Sequence, residues 1–394
     1  MKRPKNSNPD GWRENSVNSL VVQADGPNDC YKELIQGILA QGQIVVSRGL
    51  EKKEIRPVVL ILNNPRERFL MSPGRMIHPY FQVMESLWIL GGRGDVEWIS
   101  YYLKNMEKYA DGLTEFHAPY GTRMRHAGDH RILPCDNNPK DQFRNCYEYL
   151  RKDPHTQQAV MTFWNPIFDY HDVETADRPC NVAFQFIFRN GALDLTIFNR
   201  SNDIHLGLFN TNIVQFSVIL ETMAMLLDIP VGNQIHMINS LHYYTDDPLT
   251  EKLLTSENEF NPYEFIRPQA FQHETENLTL EELYKDLDSF FAAEANVRTG
   301  QFVNPLFSFN YLEDAFVLAR SFYNYRNHKD LLNAFMLLQE LSADDIFVTC
   351  AEFLSRGIDD SESKQLVEGI VRDRFKNRLP IEDINRILHY IVTH

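Results

Sequence analysis

Cysteine is scarce in this chain, with five among 394 residues. Cys30, Cys135, Cys146, Cys180 and Cys350 are widely spaced and form no CxxC pair. That spacing argues against a thiolate metal site and against a disulfide framework, and predicts a reduced, cytoplasmic protein without a metal. Long apolar runs are also missing. The longest, around residues 213 to 231, is broken by Gln215, Ser217, Glu221, Thr222 and Asp228, so no membrane partner is expected. The opening MKRPKNSNPDGWRENS has no apolar core of the kind a secretory leader needs. Positive charge is in deficit, 39 Lys and Arg against 54 Asp and Glu, for a net charge of −15. This excess of negative charge weighs against nucleic acid as a partner, while leaving room for a local basic pocket that holds one phosphate. No internal repeat or low-complexity tract is visible.

What is present is ordinary globular composition, 43% hydrophobic and 24% charged. Residues 1–28 are polar and read as a loose arm. Residues 31–47 predict an amphipathic helix running into a strand, and PVVLILN at 57–63 a buried strand. IHPYFQVMESLWILG at 77–91 is apolar almost all round, which predicts a buried helix carrying one carboxylate, Glu85. NIVQFSVILETMAMLLD at 212–228 predicts a second buried helix, with FNTN supplying N-cap candidates and Pro230 and Gly232 ending it. Residues 233–244 alternate weakly, as a strand does. From about 278 onward the pattern is helical, with a helix start at Ser342, Asp344 and Asp345. The expected domains are a catalytic unit over 29–272 and a mostly helical unit over 273–394.

The segment RPCNVAFQFIFRNGALDLTIFNRSND, residues 178–203, carries the chemistry. Asn190-Gly191 is a two-residue hairpin turn, since both positions tolerate positive φ. Val182, Phe184, Phe186 and Phe188 alternate on one strand, and Leu193, Leu195 and Ile197 on the other. Facing residue numbers then sum to 381, so Cys180 faces Ser201 beside Arg200, and one bulge would move this by one. A guanidinium beside a thiol favours the thiolate, which is the nucleophile. A lone cysteine is otherwise a small buried hydrophobe, the reading given to the other four. NRSND reads either as a solvated loop or as an anion site built from arginine, serine and backbone N–H groups. Glu85 reads as an ion-pair partner or a functional acid. His242 and Tyr244, two apart, share one strand face and read as core or as ligands.

The order proline–cysteine, hairpin, RS-D, LGL, Asn-led helix, then LHYY resembles thymidylate synthase and its pyrimidine hydroxymethylase relatives. The resemblance runs from about residue 31 to 250 and is strongest over 178–244. It implies an α+β fold with a mixed sheet and flanking helices, and a homodimer. By the resemblance, Cys180 adds to C6 of the pyrimidine, and Arg200 and Ser201 bind its phosphate. Glu85 acts through water on the base carbonyl, and Tyr120 of APYGTR stands near C5. Asp203 meets the pterin of 5,10-methylenetetrahydrofolate, and Gly207 lets the chain approach the ligand closely. Trp88 falls beside the folate. Asn212 reads uracil, with Asn210 or Thr211 as alternatives, because LGLFNTN is one residue longer than the family pattern. His242 and Tyr244 take the sugar 3′-hydroxyl. Arg48 of SRGLEKKE matches the mobile-loop phosphate arginine.

Two departures bear on activity. The partner subunit's arginine pair is replaced by Gln157 and Gln158, leaving Arg123 or Arg125 to compensate. The tryptophan that walls the pocket of methylating members is replaced by Met106, a second one by Tyr109, and no family-like C-terminal tail is recognisable. Methylation requires that water be kept from a methylene intermediate. Its capture by water gives a 5-hydroxymethyl product. The leading expectation is hydroxymethylation of dUMP. The alternatives are methylation to dTMP and a non-catalytic nucleotide-binding relative. The motif wording lies closer to the hydroxymethylase branch.

Overall fold

In a computed structural model of the chain, the described residues are 19–127, 140–166, 168–170, 174–255, 260–274, 278–301 and 303–392. Cys135 lies outside them. The chain runs through β1 (Leu20–Ala24), α1 (Pro27–Gln41), β2 (Gln43–Ser47), β3 (Leu50–Ile55), β4 (Val58–Leu62), α2 (Pro79–Leu90), α3 (Val96–Tyr102), α4 (Tyr120–Arg125) and α5 (Gln142–Lys152). Next come β5 (Val160–Thr162), β6 (Asn181–Arg189), β7 (Ala192–Asn199), β8 (Asn202–Asp203), α6 (Ile213–Leu227), β9 (Val231–Ile238), β10 (Leu241–Tyr244) and α7 (Leu249–Thr255). Then α8 (Leu280–Arg298), α9 (Asn310–Tyr323), α10 (Leu331–Leu337), α11 (Asp344–Ser355), α12 (Ser361–Phe375) and α13 (Ile381–Val392) follow.

Among the described residues the strands form a mixed sheet ordered β1-β4-β9-β7-β6-β5 and a smaller one ordered β2-β3-β10-β8. This is the expected α+β architecture. The β6–β7 hairpin closes on Asn190 (φ 54) and Gly191 (φ 82), the left-handed pair that the Asn-Gly sequence predicts. Inward positions Phe184, Phe186, Leu193, Leu195 and Ile197 are fully buried against α6, where Phe184 packs on Phe216.

All twelve residues of α2 are buried. The His78 ring accepts the Phe81 N–H at 3.1 Å, and Pro79 opens the first turn. A helix apolar all round needs cover on every side. α6 covers one side, and the C-terminal helices cover the other. Tyr80 packs on Phe322 and Phe353 and bonds Ser321 at 2.7 Å, while Ser86 meets the Tyr311 hydroxyl at 3.0 Å. Glu294 of α8 accepts the indole N–H of Trp98 at 2.6 Å and the hydroxyl of Tyr102 at 2.7 Å. One apolar cluster therefore runs continuously from Phe69 and Met84 through Phe216 to Phe347 and Ile391. A smaller one, around Leu34, Leu60 and Leu241, lies beneath α1.

Three expectations change. The last part of the expected arm is ordered, because β1 pairs in parallel with β4 from Leu20 to Ala24 and α1 opens at Pro27, while residues 1–18 lie outside the described residues. The boundary near 272 is no break in the core. Residues 233–244 hold two strands, divided at 239–240. The helix start expected at Ser342, Asp344 and Asp345 is present: α11 opens at Asp344 with both aspartates in its first turn, while the Ser342 hydroxyl bonds Gln269 at 2.6 Å and Asp314 at 2.9 Å.

A chain ending at residue 279 should lose cooperative unfolding. Each large apolar side chain returned to water costs about 1.5–3 kcal/mol, against a net stability of roughly 5–15 kcal/mol. Urea denaturation followed by tryptophan fluorescence checks this. A sharp transition from the truncated chain would show that the first 279 residues have a sufficient core of their own.

Candidate active site

One extra residue in β6 shapes the site. Pairing is regular from Arg189–Ala192 to Ala183–Phe198, and a bulge then sets Asn181 against Asn199. The freed Val182 carbonyl accepts the N–H groups of Phe163 (2.8 Å) and Trp164 (3.2 Å). Cys180 consequently faces Arg200 rather than Ser201, and its carbonyl accepts the Arg200 N–H at 2.9 Å. Arg200 Nη2 lies 3.7 Å from the Cys180 sulfur, and Ser201 Oγ lies 3.9 Å from it. The guanidinium is aimed by the carbonyls of Pro179 (Nε, 2.9 Å) and Arg178 (Nη2, 3.1 Å) and flanked by the Trp164 ring. A sulfur anion formed here has a fixed cation beside it. Cys180 is half-buried, whereas Cys30, Cys146 and Cys350 are fully buried.

Tyr120 opens α4, and its hydroxyl accepts the N–H groups of Cys180 (3.0 Å) and Asn181 (3.2 Å). Burial, with Cys180 beside it, pushes its phenol well above the usual range, so it is a neutral donor with its proton still to give. Glu85 projects from α2. Burial pushes its carboxyl up to about 8 against a donation from Gln215, and Oε2 has no partner among the described residues.

The chain from 204 to 212 winds as a π-helix and passes straight into α6. Such a turn takes up one surplus residue, which accounts for the long LGLFNTN spacing. The helical run begins at Asp203, whose Oδ1 accepts the N–H groups of His205 (2.7 Å) and Leu206 (2.9 Å), so FNTN caps nothing. Asn212 is buried. Its Oδ1 accepts from Asn202 at 3.0 Å and its Nδ2 donates to Gln215 Oε1 at 3.3 Å, linking it towards Glu85. Thr211 spends its hydroxyl on the Gly207 carbonyl. A Cβ on Gly207 would lie 2.2 Å from Asn202 Oδ1, so only glycine leaves this amide in place.

β8 pairs in parallel with β10, setting His242 beside Asp203. The His242 and Tyr244 rings stand edge to face, 5.5 Å apart. Burial pulls His242 down to about 4, and its Nδ1 is buried without a partner among the described residues. Arg48, at φ 53 in the β2–β3 turn, reaches the Tyr244 hydroxyl. The structure thus gathers Cys180, Tyr120, Arg200 and Ser201 around the hairpin. Glu85, Asn212 and Gly207 line the α2–α6 side, and Asp203, His242, Tyr244 and Arg48 the small sheet.

Other residues lie elsewhere. Gln157 and Gln158 are exposed just before β5, where the Gln157 carbonyl accepts from Gln185 at 3.0 Å. Arg123 is buried against Asp169 (2.6 Å), and Arg125 is tied to Asp141 (2.8 Å) and lies over the Tyr284 ring, so neither arginine compensates for the two glutamines. Trp88 sits in the core: its indole donates to the Asp95 carbonyl at 3.2 Å and packs on Phe116. Met106 is half-buried against the core, while Tyr109 is exposed. Among the described residues, no group of three or more His, Cys, Asp or Glu is placed to hold a metal, and no helix is long and apolar enough to cross a membrane.

Sequence reasoning missed Asn181 and Asn199. The signal was present in parity: after Leu193, Leu195 and Ile197, the next inward position is Asn199, a buried amide where the pattern asks for an apolar side chain.

Glu85 gives a test by linkage. Its folded pKa, about 8, exceeds the ordinary 4.5. The folded state therefore holds a proton that the unfolded state has lost, and stability contributed by Glu85 falls as pH rises from about 4.5 to about 8. Glu85→Gln should flatten this dependence, by an amount on the order of 4 kcal/mol across that window. Urea midpoints of both proteins at pH 5 and pH 8.5 measure it. Parallel curves would refute the buried-acid assignment.

A thymidylate synthase family model matches residues 29–292. The chain is 45% identical over 221 residues to deoxyuridylate hydroxymethyltransferase of Bacillus phage SP01, covering 56% of this chain and 58% of that one. It is 33% identical over 191 residues to the protein of the same name from Pseudomonas phage M6, covering 48% and 51%. The chain thus spans about half the length of the curated relatives it matches. With the family model covering well over half of its residues, this chain belongs to the thymidylate synthase family.

Proposed function

We propose that this chain hydroxymethylates dUMP at C5, taking the carbon from 5,10-methylenetetrahydrofolate. The observation that carries the reading is the half-buried Cys180 sulfur, 3.7 Å from a guanidinium fixed by two carbonyls and next to a hydroxyl held on its own backbone. The names of the two relatives support the choice of deoxyuridylate and of hydroxymethyl.

Cys180 adds to C6, and the electron pair of the C5–C6 double bond moves toward the C4 oxygen. Asn212 meets the base edge with an amide that both donates and accepts, as uracil requires. Glu85 holds or releases a proton near neutrality through water on the base carbonyl, and Tyr120 stands near C5 as a neutral hydroxyl that can orient the water taking the C5 proton. Arg200, Ser201 and Arg48 take the phosphate, and His242 and Tyr244 the sugar hydroxyl. The neutral His242, with an unpartnered Nδ1, suits a hydroxyl better than a phosphate.

For the folate, Asp203 uses Oδ1 in its turn and keeps Oδ2 for the pterin, and the bare Gly207 leaves room beside it. Bound folate supplies one carbon at the oxidation level of formaldehyde, and addition of water to that carbon consumes no hydride. Met106, where methylating members carry tryptophan, and the exposed Tyr109 leave that wall less closed to water.

A homodimer completes this reading. The outer face of the large sheet carries Ile61, Ile187, Phe198 and Ile235, all half-buried, and the exposed Met237, while inward Gln234 and His236 are buried. β9 thus inverts the usual polarity, which fits an outer face covered by a second copy. Gln157 and Gln158, beside the edge strand β5, would face that copy. Free thiols at Cys30, Cys146, Cys180 and Cys350 fit a reducing cytoplasm.

Incubation with dUMP and methylenetetrahydrofolate should yield a nucleotide heavier by about 30 mass units, for CH₂O added, and no dihydrofolate. A gain of about 14, with stoichiometric dihydrofolate, would assign the chain to the methylating branch. Saturable dUMP binding without turnover would make it a binding protein. Cys180→Ser should lower release of tritium from C5 of dUMP by at least about a thousandfold. Unchanged release would refute the nucleophile.

A further inference from the structure

Two facing carboxamides that close on each other each donate once and accept once. Asn181 and Asn199 face across the bulge and complete only half of this pair. Asn199 Nδ2 donates to Asn181 Oδ1. The other donor, Asn181 Nδ2, and the other acceptor, Asn199 Oδ1, are buried and have no partner among the described residues. Asn181 is 0% exposed and Asn199 is 4% exposed. Buried polar atoms rarely go unpaired, because each forfeits its hydration. One open donor and one open acceptor on adjoining amides are what a single water molecule satisfies, by accepting from the first and donating to the second.

The place is specific. Asn181 follows Cys180 and Asn199 precedes Arg200 in the chain, and the Asn181 N–H is held by the Tyr120 hydroxyl at 3.2 Å. The same Tyr120 hydroxyl holds the N–H groups of Cys180 and Asn181, so the backbone that carries the amide pair is tied directly to the backbone that carries the sulfur. Neither asparagine is needed to make the nucleophile, which Arg200 and Tyr120 already flank.

Resting on the hydroxymethylation reading, we infer that Asn181 and Asn199 hold the water molecule that becomes the hydroxyl group of the product. The water oxygen forms a bond to the methylene carbon on C5. The exocyclic double-bond pair moves into the ring, and the C4 oxygen takes the proton of Glu85 as an enol. The water O–H bond breaks, and its proton passes through pocket water to the Glu85 carboxylate so formed. The enol proton then leaves to pocket water as the Cys180 thiolate is expelled from C6, which restores the C5–C6 double bond. Nothing is oxidised or reduced. The two asparagines are positioning residues, acting through the water they orient.

Capture by water follows loss of the C5 proton, so the two events can be counted separately. The test uses the full chain with [5-³H]dUMP and methylenetetrahydrofolate, in wild type, Asn199→Leu and Asn181→Leu. Asn199→Leu removes the acceptor and Asn181→Leu the donor, each at nearly constant volume and without adding a charge beside Cys180. In each variant tritium release should stay within threefold of wild type. Hydroxymethyl product per tritium released should fall at least tenfold, with the missing nucleotide recovered as a thioether when a mercaptan is supplied. A ratio near one in both variants, or tritium release and product falling together, would overturn the assignment. A wild type that yields only the methyl product would sink the hydroxymethylation reading itself. A wild type that hydroxymethylates, with ratios of one in both variants, would sink the water site alone.

Discussion

The bulge in β6 between Asn181 and Ala183 is the constraint on which the site depends. Without the extra residue, Cys180 would face Ser201, and the guanidinium would be displaced by one position along β7. With it, Cys180 and Arg200 share a backbone hydrogen bond, and their side chains leave the sheet together. The displaced Val182 carbonyl also ties down Phe163 and Trp164, and Trp164 in turn flanks Arg200. Bulges commonly re-aim a side chain at the end of a ladder. Here the regular part of the hairpin, from Arg189 to Ala183, is apolar and buried on its inner face, which holds the irregular end in register.

That rigidity is set against a polar floor that the protein alone does not satisfy. Gln82 Oε1, Glu85 Oε2, Asn181 Nδ2, Asn199 Oδ1 and His242 Nδ1 are all buried without partners among the described residues. Each such group costs about 1–3 kcal/mol, so the set is comparable with the whole net stability of a domain. On the function proposed above, water, nucleotide and folate would be their partners. The compensation lies in the core around them. α2, which carries Gln82 and Glu85, is enclosed by α6 on one side and by α9 and α11 on the other. The C-terminal helices keep a helix with an unsatisfied carboxylate folded, which is a physical reason for them to share the catalytic unit's core.

Much of this was legible in the sequence because strong periodicity and turn chemistry are local signals. Asn190-Gly191 set the hairpin, alternation set its inner face, and the all-round apolar 77–91 segment announced a buried helix. What the sequence hid was set by tertiary context. The bulge has no marker in its own residues, since Val182 suits a regular strand equally well. The π-helix at 204–212 showed only as a spacing one residue too long. The continuity of the core past 272 left no sign, because a change of pattern from strands to helices says nothing about which faces meet. Arg123 and Arg125 looked available as free cations until Asp169 and Asp141, distant in sequence, were seen to hold them.

The choice of product turns on how water is handled once the methylene carbon is formed. A methylating pocket must keep water from that carbon long enough for hydride transfer, which calls for a dry aromatic wall. This chain offers Met106 and an exposed Tyr109 at the corresponding positions. Loss of the wall alone would admit water without orienting it, and an unoriented water competes poorly for a reactive carbon. On the proposed reading, the half-closed amide pair of Asn181 and Asn199 supplies that orientation. The replacement at Met106 and the amide pair would then be two parts of one adaptation: the first removes the barrier to water, and the second gives water a fixed place from which to react.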